Sequence, residues 1–427
     1  MRTVKTKYLK RLTIAGLTLL CIGNKEANAQ WECCSHLSAN IKPLYEGSAL
    51  CWGAEVAGSG GYLTDSYIAN SMGFLGLELS SNHFQFYAEG GIKYWYKNDR
   101  ELGNTFSSNR FGLRDLSANY FSNNFSIHLG LQQIKTDDFF LVNERGTGLT
   151  LQYNQNNSNV QLAAGTVTKD FSRNGIFCTT AYIYDLIPVR TMPAGNSWGD
   201  TNFASFSFLR TINHKKQSTA DPAFDEFQEF SPIEENSTNT SFGVESYGVT
   251  LYSEFGSYYD HQSWYAAIHT TINLGHIANL RAESAYQGVT DNQSLLLYLQ
   301  LEKDLAWSIN QSSTIQLLYL GQFEIDENAQ VLPRFSNLFL GEVFRMDLVD
   351  LPLFNASLKH QFSASQLSLK LQYTRQMKGS NMRELDFSIG KFFLKKHLRL
   401  TALSGIMNSD ELTEQATLGR LEMRIFF

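Results

Sequence analysis

Leu418-Gly419-Arg420-Leu421-Glu422-Met423-Arg424-Ile425-Phe426-Phe427 alternates along its length. Successive side chains of a strand point to opposite sides. Leu421, Met423, Ile425 and Phe427 therefore share one face, and Arg420, Glu422 and Arg424 share the other. One face asks for an apolar surrounding and the other for water. A transmembrane β-barrel supplies both, with lipid outside and a wet lumen inside. An amphipathic edge strand of a soluble sandwich is the alternative.

The opposite end of the sequence carries the companion signal. Arg2, Lys5, Lys7, Lys10 and Arg11 form a basic n-region, Leu12 to Gly23 is a short apolar run, and Ala27-Asn28-Ala29 is a small-residue cleavage site. Residues 1–29 are expected to be a cleaved signal peptide, leaving Gln30 first. The apolar run is too short to span a bilayer as a helix. Leu20 stands before Cys21 where a lipoprotein site needs a small residue.

Residues 1–29 hold six of the 35 Lys/Arg and one of the 41 Asp/Glu, leaving 29 against 40, a net charge of −11. A nucleic-acid binder would tend the other way, so no nucleic-acid partner is expected. Nothing after residue 29 is apolar for long enough to make a membrane helix. Yet 30 Phe and 20 Tyr stand beside only seven Pro, a composition that suits lipid-facing strands.

Period-2 runs recur from about residue 49. In His83–Lys97, Phe84, Phe86, Ile92 and Tyr94 share a face opposite Tyr87, Glu89, Lys93 and Lys97. No helix has this period. In Ala278–Tyr286, Leu280 and Ala282 are expected to face out, with Arg281 and Glu283 facing in. Very short connections (80–82, 122–124, 275–276, 363–365, 395–396) alternate with long ones (98–110, 135–145, 169–202, 324–353, 405–417). The pattern predicts an all-β, antiparallel transmembrane barrel of about 18 strands, with 16 as the alternative count. Counting back from Phe427 puts the short turns on the periplasmic side and makes 213–242 a long excursion on that side. The expected organisation is signal peptide 1–29, periplasmic segment 30–48 and barrel domain 49–427.

The last ten residues resemble the closing strand of bacterial outer-membrane proteins. The resemblance implies that Leu421, Met423, Ile425 and Phe427 act as a signal to the barrel-assembly machinery. Gln30 after an Ala-x-Ala site also resembles export signals common in Bacteroidetes. A further stretch, Leu113–Tyr120 through Phe125–Gln133 and on to Phe139–Tyr153, resembles the strand–turn–strand of alginate-export-type porins. Gly130 and Gln132 match the signature of that family, while Leu131 stands where it carries Arg. This resemblance implies a substrate-type porin, and it does not imply alginate as the solute.

The inward charges are the candidate pore-lining residues: Lys93, Lys97, Arg114, Arg281, Lys359, Lys370, Arg399, Arg420 and Arg424, set against Glu89, Asp115, Asp386 and Glu422. First and last strands adjoin in a closed barrel, so these groups could form one basic wall favouring anions. Salt-bridged pairs on a solvated inner face are the equal alternative. Loop 169–202, with Phe171, Arg173, Tyr182, Arg190 and Trp198, is a candidate inward fold, or a loop packed on its own aromatics. Cys33 or Cys34 is expected to pair with Cys51 in the oxidising periplasm.

Asp260-His261-Gln262-Ser263 and Asp137-Asp138 resemble pairs used by smaller outer-membrane hydrolases, but loop tips of this composition are ordinarily turns. No metal, phosphate or dinucleotide motif occurs in a suitable context, so neither a cofactor nor an enzyme is expected. The expected function is a porin-like channel for passive diffusion of small hydrophilic solutes, with a weak preference for anions. Lipid and solute are the expected partners, with a homo-oligomer or a periplasmic protein as further candidates. The alternative is a plugged barrel serving as a scaffold subunit of an outer-membrane assembly, secretion or uptake complex.

Overall fold

The computed structural model describes residues 42–43, 49–166, 201–212, 242–256, 262–325 and 351–427, apart from turn positions 65, 82, 100–102, 290–291, 380, 395 and 411–414. A stub, β1 (Lys42–Pro43), precedes β2 (Leu50–Leu63), β3 (Ser66–Ser80), β4 (Phe84–Asp99), β5 (Asn104–Phe121), β6 (Phe125–Lys135) and β7 (Asn143–Gln155). Next come β8 (Ser158–Thr166), β9 (Asn202–Thr211), β10 (Gly243–Phe255), β11 (Ser263–Asn273), β12 (Asn279–Val289) and β13 (Asn292–Ser308). The rest are β14 (Gln311–Glu324), β15 (Leu353–Phe362), β16 (Leu367–Gln376), β17 (Arg383–Phe393), β18 (Leu398–Asn408) and β19 (Ala416–Phe426).

From β2 to β19 each strand pairs antiparallel with its chain neighbours, and β19 pairs with β2, so 18 strands close into a barrel. Closure leaves no open sheet edge, which is the condition for strands to sit in hydrocarbon. Every strand expected from the alternation has its counterpart here, and the count is 18 rather than 16.

Two boundaries moved. Gly58, Gly60 and Gly61 interrupt the alternation and would weaken a strand, yet β2 and β3 continue through them to a turn at Thr64, with Leu63 opposite Ser66. Most of 98–110 likewise joins the sheet, with Asp99 opposite Asn104. Its Asn and Ser residues are those of a hairpin running on into water.

The strand order places the connections 81–83, 122–124, 156–157, 274–278, 309–310, 363–366 and 394–397 at one end, together with the start of β2 and the end of β19. The segment between β9 and β10 leaves and returns at this same end, as the parity of the strands requires. Residues 213–241 within it lie outside the described residues.

The burial pattern is inverted relative to a water-soluble protein. Along β10, Tyr247, Val249 and Leu251 are exposed while Ser246, Thr250 and Glu254 are buried. Leu75, Leu77 and Leu79 on β3, Ile268 on β11, Leu371 on β16 and Leu385 on β17 repeat the exposed apolar face. On β19, Leu421 and Met423 are exposed and Arg420, Glu422 and Arg424 are buried. So large and continuous an apolar exterior is not a feature of soluble monomers. It is a lipid-facing belt, and the chain is a membrane-spanning barrel.

Candidate functional site: the barrel lumen

An 18-strand barrel is wide enough to keep an aqueous channel unless something fills it. Two walls of different chemistry line this one. From β8 to β15 an apolar and aromatic cluster of Phe203, Tyr252, Tyr265, Leu296, Tyr298, Leu320 and Leu353 is buried inside, with Thr250, Glu254, His269, Glu283 and Gln300 buried on the same strands. From β16 through β19 and on to β5 it is polar and ionic, with Glu384, Asp386, Arg399, Arg420, Glu422, Arg424, Glu55, Glu89 and Asp115 buried.

The apolar wall has a lid of its own. The connection 136–142, between β6 and β7, folds into the lumen, with Phe140, Leu141 and Val142 buried in the same cluster. Phe140 stacks on Tyr298 with ring centroids 5.9 Å apart. Phe139 lies 5.4 Å from the same ring and meets His269 edge-on at 5.6 Å. The Phe139 N–H donates to Glu283 Oε2 on β12 (2.8 Å), and Asn159 Nδ2 on β8 donates to Asp137 Oδ2 (2.6 Å). Asp138 Oδ1 accepts from the N–H groups of Phe140 and Leu141, a local turn that suits Asp.

Gly130 sets the direction of this hairpin. β5 pairs with β4 out to Asn104 but with β6 only as far as Leu116 opposite Leu131, where β6 turns away with β7. Gly130 has φ +124°, and a Cβ there would meet the Leu116 carbonyl oxygen at 2.1 Å. Replacing Gly130 by Ala is expected to destabilise the barrel by about 1–3 kcal/mol. A urea titration of folding in detergent or vesicles would show it, and an unchanged midpoint would count against this account of the bend.

The candidate pore residues divide into groups. Arg399, Arg420 and Arg424 are almost wholly buried. Arg424 Nη1 lies 3.2 Å from Glu55 Oε1, and its Nε lies 2.5 Å from Glu422 Oε1. The Arg399 guanidinium sits 5.4 Å over the Phe392 ring. Arg424 is thus held between two carboxylates, and Arg399 and Arg420 are packed into the same buried inner wall. Lys97, Arg281, Lys359 and Lys370 are only half-buried. Lys359 and Lys370 are opposite each other across β15 and β16, and Arg281 stands near the same end of the barrel, three residues into β12. Lys93 shares the inward register of Tyr87, Glu89 and Gly91. Arg114 is the extra residue of a bulge, where Glu89 faces Asp115 and Gly90 faces Leu113. The side chains of Lys93 and Arg114 lie outside the described residues.

Ile425 and Phe427 are half-buried, and the Phe427 N–H donates to the Ala54 carbonyl at the end of the seam. Cys51 lies on β2 opposite Glu78, with Pro43 of β1 on its other edge. Its expected partners Cys33 and Cys34, loop 169–200 and Asp260-His261 all lie outside the described residues. The inward loop that is seen is the shorter 136–142, expected as part of an outer loop at 135–145. Its signal was present: Phe139-Phe140-Leu141-Val142 is four consecutive apolar residues, too apolar for a solvated tip. Glu55 and His269 were also passed over, because single inward residues carry no local pattern.

No family model and no curated protein sequence matches the chain. Solved structures do. The chain is similar to OccK7 (OpdD) of Pseudomonas aeruginosa, with a TM-score of 0.54 and 11% identity over 90% of this chain and 99% of that one. OpdK with vanillate, from the same organism, gives 0.52 and 9% over 88% and 98%. A second structure of the outer-membrane protein OpdK gives 0.51 and 9% with the same coverage. At such identities the likeness is one of fold, and it agrees with the closed antiparallel sheet described above: the chain has the 18-strand β-barrel fold of outer-membrane porins.

Proposed function

We propose that the protein is an integral outer-membrane channel for passive diffusion of small hydrophilic solutes, with a weak preference for anions. One observation carries this reading: Lys97, Arg281, Lys359 and Lys370 are partly open to a lumen enclosed by a lipid-facing barrel. Charges on a pore wall set which ions dwell there. A unit charge about 4 Å from an ion in water is worth about 1 kcal/mol, roughly fivefold in occupancy. The buried arginines contribute less, since Glu55 and Glu422 neutralise Arg424 where it stands. Vanillate, the compound in the similar OpdK structure, is a small carboxylate, of the charge that such a basic lining would favour.

Finer assignments belong to the same reading. Gly130 and Gln132 support a substrate-type porin of the alginate-export kind, and the Ala27–Gln30 junction supports a cleaved signal and a Bacteroidetes-type source. Leu421, Met423, Ile425 and Phe427 would present the signal to the barrel-assembly machinery. The register of Pro43 with Cys51 lays the two residues of β1 alongside β2, and a bridge from Cys51 to Cys33 or Cys34 belongs to the same reading. Transport would be passive, with no catalytic step and no cofactor.

The test is the reversal potential of single channels under a salt gradient. The wild type should be anion-biased, and Lys359→Gln with Lys370→Gln should reduce the anion-to-cation permeability ratio about fivefold. A cation-biased wild type would remove the anion preference and keep the pore. The apolar packing of loop 136–142 favours one other reading, a plugged scaffold for a homo-oligomeric or periplasmic partner. A folded barrel that passes no current would establish that reading instead.

A further inference from the structure

Beneath loop 136–142 lies an ionisable group for which diffusion has no use. Asp138 and Glu283 are buried to within a few per cent, and so is His269. His269 and Glu283 stand opposite each other across β11 and β12, which brings their Cβ atoms to about 5 Å. The His269 ring lies over Gly248 on β10, the residue opposite it on the other side, where a Cβ would meet Nε2 at 2.4 Å. Glu283 holds the loop through the Phe139 N–H, and Phe139 directly follows Asp138. The remaining oxygens, Asp138 Oδ2 and Glu283 Oε1, accept no hydrogen bond, and His269 Nε2 has no partner either. Oxygens this deeply buried ordinarily have partners.

We propose that Asp138 and Glu283 form a proton-held latch, which seats loop 136–142 across the lumen while they share a proton and frees it when that proton is lost. This rests on the channel reading above.

The charge inventory around the pair decides the direction. Inward groups near Glu283 are His269 on β11, Tyr298 opposite it on β13, and Arg281 and Gln287 on β12 itself. The loop contributes Asp137 and Asp138, β6 contributes Lys135, and Glu254 on β10 belongs to the same interior wall. Neither carboxyl has a salt bridge among the described residues. Two buried like charges on adjoining groups cannot both ionise without repulsion. One proton on Glu283 Oε1, donated to Asp138 Oδ2, would satisfy both orphaned atoms. Its departure to lumen water leaves two carboxylates pushing the loop from the wall.

Asp137 adds support from the loop. Burial, and then the neighbouring Asp138, push its carboxyl up to about 6, against the opposing hydrogen bonds from Asn159 and Ser207. A raised carboxyl means the seated loop binds its proton more tightly than the free loop does. That contribution is complete below the ordinary carboxylate range and is lost as pH rises through about 6.

Two readouts test the latch. The first is single-channel conductance between about pH 5 and pH 8. The wild type should rise at least about twofold with pH. Glu283→Gln should stay low and rise far less than the wild type, because its amide can accept from Phe139 and donate to Asp138 at every pH, leaving only the contribution of Asp137. A flat wild type, or a variant that follows it, overturns the latch. The second readout needs no current. Thr136→Cys, in a chain whose other cysteines are serine, is labelled by a membrane-impermeant maleimide in micelles. Its rate is divided by the rate for the same cysteine in the Glu283→Gln background, which removes the pH dependence of the thiol itself. A ratio that climbs several-fold with pH supports the latch even if the channel is silent, and a constant ratio overturns it even if the channel conducts.

Discussion

Replacing Arg424 by methionine is expected to cost the barrel about 3–5 kcal/mol. Arg424 is 1% exposed, and its guanidinium lies between Glu55 of β2 and Glu422 of its own strand. Methionine fills much of the volume but leaves two carboxylates buried with their shared cation gone. The seam between β19 and β2 should weaken, seen as a lower urea midpoint and as loss of the compact band on unheated gels. Adding Glu55→Gln to the same chain should restore part of the loss, since Glu422 still has Arg420 and Arg399 near it while Glu55 no longer buries a charge. If Arg424→Met alone folds as the wild type does, the seam is held by its ladder and the ion cluster is incidental.

Ile268→Arg should cost about 2–4 kcal/mol on folding into vesicles. Ile268 is the middle residue of β11, 64% exposed and on the outward face. An arginine there meets hydrocarbon at the depth where a charge is least tolerated. Ile277, 74% exposed in the turn before β12, sits at the rim, and the same change there should cost no more than about 1 kcal/mol. Equal costs at the two positions would mean that the outer belt does not face lipid. Exposure alone cannot produce the difference, because the less exposed residue is the one expected to suffer.

The barrel was legible in the sequence because lipid and water impose opposite demands on alternate residues. His83–Lys97 and Leu418–Phe427 declare both faces without reference to any other strand. The number of strands followed from the same alternation, and the end at which each turn lies followed from parity. Legibility stopped where a residue's role depends on distant partners. Arg424 reads as one more lumen charge until β2 is laid beside it with Glu55. Gly58–Gly61 reads as a break in the alternation until β19 and β3 pair with it from both sides. Loop 136–142 shows that a connection's length says little about its path, because the wall of tyrosines and leucines that receives it comes from strands a hundred and more residues later. Glu283 and His269 could be placed on the inner face, but nothing local shows that Asp138 would come to rest against them.

β2 meets two partners along a single edge: β19 from Leu63 to Glu55, then β1 at Trp52 and Cys51, with the Phe427 N–H on Ala54 between them. The ion pair on this edge joins residues 369 positions apart. Contacts of such separation form late, since the intervening chain must already be ordered before they lower the free energy. The first barrel strand to leave the export channel is thus the last to be fully paired, and until β19 arrives β1 covers, among the described residues, two rungs of an edge prone to pairing with other chains. The seam fixes the time order of the molecule: whatever shortens the wait between the first strand and the last protects it, and whatever lengthens that wait exposes it.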